Sequence, residues 1–483
     1  MKNCCKRFEV FCFLMFLVVA FLLAVSGIAG AAKPPNHHAS MAQPLIDLKS
    51  FPDMSDFDPN NPVIPTGDTI KIAIVSPFSG PAAMVGQMDF LYFQWIAHAV
   101  NKKGGIFVDG KKKLVEIIRA DNQMNPSNTK KVCERVILQD KARFLISGHG
   151  SHLVKIVNSM ARQHNVISVI SSANSDELMD ATNFNRNSFM LTMSVSQMGR
   201  ALAYYYGQIR KKEKKFYILC QDYSFGRGLA ESFKQGLKEY YPEAQVVGED
   251  YHKLFMTDYA PFLTKVKASG AEVVYTGDWY PDAGNLFKQA RQMGVMLPFA
   301  NFYMTDPVAL SEIGVEGTEG LVNLTQYGRE NPFFRSKEET QYYRMYQKAW
   351  KKWKAPYNTI AYEWPLSDFG MYKGQMLWLL SVIARAKSTD AEKIIKIWEG
   401  DAYPYPNGKV VRMRACDHKM IQDLHVSEYV RPEKQKAGMN IPPYYWFASF
   451  SGAGSASTIP AEKILPWMDQ NLDRCKGRNS WGE

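Results

Sequence analysis

His149, Ser151 and His152 place a hydroxyl between two imidazoles within four residues of chain, a spacing that invites a serine hydrolase or a metal site. Either chemistry needs a further partner, a group that orients the base or a third ligand. No carboxylate stands nearby in the sequence to supply one. A second, non-catalytic use is open to the same residues. If Ser151 opens a helix, the free N–H groups and positive dipole end there suit an anion such as a carboxylate. The run Ser171-Ser172-Ala173-Asn174 offers the same after the next apolar stretch. Farther along, Tyr223, Phe225, Trp279, Tyr280 and Tyr303 stand at comparable positions. Rings opposite an anion-holding pair suit a ligand with one charged end and one apolar body. The structural alternative is that Ser151 and Asn174 cap helices and the rings are core.

The elements that must position these residues alternate. Ile70 to Ser76 is β-rich, and Met84 to 103 has helical apolar spacing closed by Gly104-Gly105. Strand and helix then follow in turn: 114–119, 126–139 behind an Asn125 cap, 144–147, 153–164 and 166–171. A second series runs 201–210 helix, 216–220 strand, 229–240 helix, 246–251 strand, 259–268 helix, 273–277 strand and 285–293 helix. This order predicts an α/β protein of two doubly wound parallel-sheet lobes. Ligands of such sheets bind beyond the carboxyl ends of the strands, where Ser151, Asn174 and the aromatic loops fall. Past Gly314 the period loosens; 338–353, 369–387 and 391–398 read as helices, and 464–472 as a short one.

The chain's ends and composition narrow the class. Lys2, Lys6 and Arg7 precede an apolar run from Val10 to Val25 and an Ala29-Gly30-Ala31 exit, which predicts a secretory leader over 1–31 and an exported, periplasmic product. The run is 16 residues, short of the about 20 a spanning helix needs. Residues 32–69 read as a Pro-rich extension that lies on the body or stays mobile. The net charge of +11 falls to +9 without the leader's three basic residues and one acid. The lysine clusters at 111–113, 211–215 and 351–354 sit at turns and helix ends as solvated faces, with no nucleic-acid module. Cys133, Cys220, Cys416 and Cys475 remain downstream of the leader, too few for a disulfide scaffold and not spaced as a zinc motif; buried thiols with one bridge is the expectation. There is no G-x-S-x-G elbow or H-E-x-x-H pair.

Several segments carry a family resemblance. Ile72-Ala-Ile-Val-Ser-Pro-Phe-Ser-Gly-Pro81 with Gly86, Asn101-Lys-Lys-Gly-Gly-Ile106, Asp222-Tyr-Ser-Phe-Gly-Arg-Gly228, and the run from Asp258 to Tyr275 resemble the branched-chain amino-acid-binding proteins of ABC importers, over about Ile70 to Phe450. The resemblance implies the type I periplasmic-binding fold with a three-strand hinge. Lobe 1 would take 70–190 and 320–400, lobe 2 would take 191–319 and 401–450, and 451–483 would be an extension. It implies a ligand held in the cleft by hinge closure, without catalysis or cofactor, and a monomer that delivers a small carboxylate-bearing solute to an inner-membrane permease. A sensing receptor subunit of the same fold is the alternative, and a hydrolase using His149 or His152 a more distant one.

The resemblance also implies a site. Ser151, Ser172, Ala173 and Asn174 correspond to the carboxylate-holding positions, with His149 and Val85 beside them. Phe225 stands where the family has a tyrosine, keeping the ring and losing the hydroxyl, and Trp279 is the next aromatic contact. The family's acidic partner for a ligand ammonium corresponds to Tyr303, leaving Asp278, Asp282 or Asp306 as substitutes. If none serves, the expected ligand is an acid with an apolar or aromatic body.

Overall fold

A computed structural model describes residues 45–46, 49–303, 307–326, 337–363, 367–406, 408–429 and 457–483. The expected leader, the extension up to residue 44 and Asp306 lie outside the described residues. The first lobe is built on β1 (Ile70–Ser76), α1 (Ala83–Lys102), a hairpin of β2 (Ile106–Val108) and β3 (Lys111–Lys113), β4 (Val115–Asp121), α2 (Pro126–Leu138), β5 (Phe144–Ser147), α3 (Ser151–Gln163), β6 (Ile167–Ile170) and β7 (Ser188–Met190). The second lobe follows with α4 (Val195–Tyr204), β8 (Lys215–Gln221), α5 (Ser224–Tyr240), β9 (Gln245–His252), α6 (Ala260–Ala268), β10 (Val273–Tyr275), α7 (Asp282–Gln292), β11 (Phe299–Asn301), α8 (Pro307–Thr318) and β12 (Val322–Thr325). Then come α9 (Lys337–Trp350), α10 (Ile360–Glu363), α11 (Ser367–Ala386), α12 (Ala391–Trp398), a small sheet of β13 (Ala402–Pro404), β14 (Val410–Met413) and β15 (Met420–Ile421), and finally β16 (Leu424–Glu428) and β17 (Ser457–Ile459).

The first sheet has the order β4-β1-β5-β6-β7, all parallel. The second runs β17-β16-β12-β11-β10-β8-β9, parallel from β9 to β12 and antiparallel at β16 and β17. Strand order therefore reverses between β1 and β5 in one lobe and between β8 and β10 in the other. Each reversal parts the loops that leave neighbouring strands and opens a crevice at their carboxyl ends.

Local chemistry sets the helix starts. Ser194 caps α4 reciprocally with Gln197, its Oγ accepting from the Gln197 N–H while the Gln197 side chain accepts from the Ser194 N–H. That box begins the helix six residues before the periodicity alone suggests. Helix α4 lies against α5 at Gly199, where an added Cβ would come within 2.6 Å of the Ser232 carbonyl carbon. Helix α1 is buried nearly all round: α11 and the chain before β1 cover it, and Trp95 meets Phe57, Tyr346 and Trp353 edge-on or tilted. Residues 49–69 thus lie on the first lobe, with Lys102 Nζ donating to the Asp53 carbonyl and paired to Asp56 at 2.8 Å.

Two lobe assignments and one helix need correction. Strand β12 belongs to the second sheet, although the sequence reading starts the return to lobe 1 at residue 320. Conversely Tyr403, Tyr405, Val411, Met413 and Met420 pack into the first lobe's core, although residues from 401 are expected in lobe 2. Both slips share a cause: short strands carry too little period to show which sheet they join. The helix expected over 464–472 is absent. Pro466 removes a donor there, and the segment instead follows buried Arg414, whose guanidinium donates to the carbonyls of Pro466, Trp467 and Ser480 while paired with Asp417. Cys416 and Cys475 form a disulfide; Cys133 and Cys220 are buried thiols, and burial pushes the Cys133 thiol up to about 12. The tail adds β17 to the second sheet before reaching Cys416, which is fastened beside the small sheet.

The crossings between lobes meet at one side chain. Gln326 Oε1 accepts from the Met193 N–H at 2.8 Å and from Gln422 Nε2 at 2.9 Å, joining the segments that follow β7, β12 and β15.

Candidate functional site

The two crevices face each other across a cavity of about 80 Å³. From the first lobe, Met84, Val85 and Met88 come from α1, and Gly148 to Ser151 lie between β5 and α3. Ser172 to Asn174 follow β6, and Tyr372 comes from α11. From the second lobe, Tyr223 and Phe225 follow β8, Trp279 and Tyr280 follow β10, and Tyr303 follows β11.

Close backbone approach makes this geometry possible. At Gly148 an added Cβ would stand 2.2 Å from Ser172 Oγ and 2.5 Å from Ser171 Oγ, so only glycine lets the loops after β5 and β6 touch. Gly150 occupies the cap of α3 with φ 76°, a left-handed conformation that favours glycine, and no side chain caps the helix. Ser151 is therefore the first helical residue and not a cap, 2% exposed. The Leu153 and Val154 N–H groups donate to the Gly150 carbonyl at 2.8 and 3.1 Å; the N–H groups of Ser151 and His152 precede them, without a helical carbonyl one turn earlier, so the end of α3 beside the cavity favours a negative group.

Asn174 is not a helix cap either; the run after β6 leads into a short 3₁₀ turn at Asp176–Met179. Its amide nitrogen donates to Thr192 Oγ1 at 3.0 Å and to the Met193 carbonyl at 2.5 Å. Its Oδ1 accepts from the Tyr303 hydroxyl at 2.5 Å, a bond from one lobe to the other. Ser175 and Ser224 add a second bridge at 3.3 Å. Among the rings, Trp279 Nε1 donates to the Tyr223 hydroxyl at 3.0 Å, which fixes the indole against the cavity. Phe225 and Trp279 also belong to the second lobe's apolar core. The two uses of the rings that the sequence leaves open, lining and core, are both realised.

All nine residues singled out from the sequence, Val85, His149, Ser151, Ser172, Ala173, Asn174, Phe225, Trp279 and Tyr303, border this one cavity. Met84, Met88 and Tyr372 escaped sequence reasoning. The methionines recur one helical turn apart on a helix that reads as core, and Tyr372 lies some 200 positions downstream of the other first-lobe contacts with no local signal. His152 is not in the lining. The carboxylate missing near His149 in sequence is Asp89, whose Oδ2 lies 2.9 Å from His149 Nε2.

Of the suggested acidic substitutes, Asp278 and Asp282 are not in the cavity lining, and Asp306 lies outside the described residues. Asp278 is fully buried with its Oδ2 2.7 Å from His252 Nε2. Asp282 Oδ2 accepts from Gln221 Nε2 at 2.7 Å and the Phe255 N–H at 2.9 Å. Burial pushes the Asp282 carboxyl up to about 6. Burial would lower the His252 imidazole, but Asp278 beside it holds it up at about 9. Among the described residues the cavity lining contains no Asp, Glu, Lys or Arg.

Comparison with known proteins agrees with this architecture. A family model described as periplasmic binding protein matches residues 69–436. The Leu/Ile/Val-binding protein of Escherichia coli K12 is 26% identical over 256 residues, 53% of this chain and 67% of that protein. A periplasmic binding protein from Burkholderia mallei superposes with a TM-score of 0.68 at 20% identity, covering 85% of this chain and 99% of that one. An ABC transporter solute binding protein from R. palustris, in complex with 4-hydroxybenzoate, does so with a TM-score of 0.62 at 20% identity, covering 75% and 93%. With two doubly wound lobes, a cleft at both strand-order reversals and a family match across most of its length, the chain belongs to the periplasmic binding proteins, of the branched-chain amino-acid type.

Proposed function

We propose that this protein captures a small carboxylate with an aromatic or bulky apolar body and delivers it, unchanged, to an inner-membrane ABC permease. One observation carries the reading: the described lining holds six aromatic rings of Tyr, Phe and Trp and no acidic side chain. A buried ammonium without a carboxylate would lose a charge-assisted bond and keep its desolvation cost, several kcal/mol in an unfavourable geometry. A ligand carboxylate, in contrast, has the uncapped start of α3 and the hydroxyl of Ser151 to accept from, with Ser172, whose hydroxyl donates to the Gly148 carbonyl at 3.1 Å, beside them. The rings then cover its body, and the bond from Tyr303 to Asn174 forms as the lobes meet; the R. palustris relative is a solute binding protein in complex with 4-hydroxybenzoate. Closure needs only that the ligand bind the closed form more tightly than the open one.

The test is a calorimetric screen of benzoate, 4-hydroxybenzoate, phenylacetate, leucine and choline. Aryl acids binding at least tenfold more tightly than leucine is the expected outcome, with the ligand recovered intact. Tighter binding of leucine would overturn the proposal, and tighter binding of choline would assign the rings to a cation. Ser151→Ala should weaken benzoate by about 1–3 kcal/mol, the cost of one charge-assisted contact; an unchanged Kd removes Ser151 from the site.

A further inference from the structure

The second lobe faces the cleft with a wall of rings, and their polar atoms are unequally committed. Tyr303 gives its hydroxyl hydrogen to Asn174 Oδ1. Phe225, with its ring centroid 6.3 Å from that of Tyr303, has no polar atom to give. Trp279 donates its Nε1–H to the Tyr223 hydroxyl at 3.0 Å. An indole nitrogen is a donor only, so in this pair the phenol oxygen accepts and Tyr223 keeps its own O–H. Among the described residues no acceptor takes that hydrogen. Tyr223 stands at the start of α5, beside Phe225, and both it and Trp279 border the cavity, so the phenol oxygen lies where two lining rings meet.

An unspent donor at an apolar wall discriminates between ligands. Enclosing it against hydrocarbon leaves its desolvation uncompensated, whereas an oxygen placed there restores the bond that water supplies in the open form. A site that hydrogen-bonds one group of a ligand rejects the analogue lacking it more strongly than an apolar pocket rejects a missing methyl group. The sign of the preference is also fixed. Free phenols titrate near pH 10, and burial pushes the Tyr223 phenol higher still, so the hydrogen stays on the oxygen and the group it seeks is an acceptor. The uncapped start of α3, which favours a negative group, belongs to the first lobe, and Tyr223 belongs to the second. The two ends of a ligand are therefore read by different lobes.

We propose that Tyr223 is a specificity-determining residue that selects carboxylates whose body carries a hydrogen-bond acceptor at its second-lobe end, such as the oxygen of a hydroxyl, ether or oxo group on an aryl acid. The inference rests on the carboxylate reading above and narrows its substrate class. Trp279 is the positioning residue: its N–H occupies the phenol oxygen, which leaves Tyr223 to act toward the ligand as a donor. A group that can only donate, such as an ammonium or a conjugated amine, brings donor to donor and gains nothing from the contact.

Calorimetry on the full chain tests this with benzoates carrying a hydroxyl, a methyl or an amino group at the 3- or 4-position, which are nearly equal in size. At one of the two positions the hydroxyl compound should bind about tenfold or more tightly than the methyl compound, and the amino compound should bind no better than the methyl. In Tyr223→Phe the hydroxyl-to-methyl ratio at that position should fall to within about twofold of unity. The ratio is taken within each variant, so any shift of the indole on losing its acceptor acts on both ligands and cancels. Equal binding of hydroxyl and methyl compounds at both positions of the wild type would overturn the inference and leave the capture reading standing. A ratio that survives intact in Tyr223→Phe would do the same, because the contact then belongs to another group. An amino compound that gains as much as the hydroxyl would show that the wall accepts instead of donating, which also overturns it. If none of these carboxylates binds and another solute does, the capture reading falls and the selection by Tyr223 with it.

Discussion

Replacing Tyr303 by Phe removes one oxygen from the bond that joins the lobes and keeps the ring that lines the cleft. The consequence follows from what surrounds Asn174. Its amide nitrogen is held by Thr192 Oγ1 and the Met193 carbonyl, so its Oδ1 cannot turn toward another donor without breaking both bonds. The residue is 2% exposed in the closed form. In Tyr303→Phe that oxygen is left buried and unsatisfied when the lobes are together, and hydrated when they are apart. The penalty, about 1–3 kcal/mol for an orphaned buried acceptor, therefore falls on the closed form alone. Because ligand is held by that form, apparent affinity drops by the same amount, about 5- to 150-fold at about 1.4 kcal/mol per factor of ten. Calorimetry with benzoate gives the Kd, and small-angle scattering of the ligand-saturated protein gives the degree of closure. A Kd within about twofold of wild type, with unchanged compaction, would refute the assignment of this bond as a latch.

Two further outcomes concern the scaffold. Cys416 and Cys475 close a loop with a sequence separation of 59, so the paired Cys416→Ser, Cys475→Ser variant should lose about 4 kcal/mol of stability from unfolded-chain entropy; a loss below about 1 kcal/mol in denaturant unfolding would show that the rest of the tail holds without it. His252 is held at about 9 by Asp278, above its unfolded value of about 6.5. Its contribution to stability is complete below about pH 6.5 and is lost as pH rises through about 9. Urea midpoints should fall across that window and stay flatter in His252→Gln; a flat wild-type profile contradicts the buried imidazolium.

The two-lobe plan was legible in the chain because long elements repeat their pattern. Thirteen residues of α2 with Asn125 and Pro126 at its start, or the apolar four of β5, announce themselves locally. Short elements do not. Strands β13 to β15 have two to four residues each, and which sheet β12 joins depends on partners far away in sequence. The helix periodicity also missed the first turn of α5 at Ser224 to Gly228, whose residues are ring and glycine rich, whereas they pack because β8 delivers them to the cleft.

For the site, the sequence by itself determined the kinds of group available: hydroxyls and histidines at one set of strand ends, rings at the other, and, by the family resemblance, a tyrosine where an acid is expected. Those are properties of residue type at loop positions, and alternation of strand and helix locates the loops. Only the tertiary structure decided how they are used. It set Asn174 against Tyr303, removed Asp278 and Asp282 to a buried network with His252, and put Asp89 behind His149. Each of those pairings spans residues of different elements, brought together by strand order and lobe closure, and no local pattern records which strands will be neighbours.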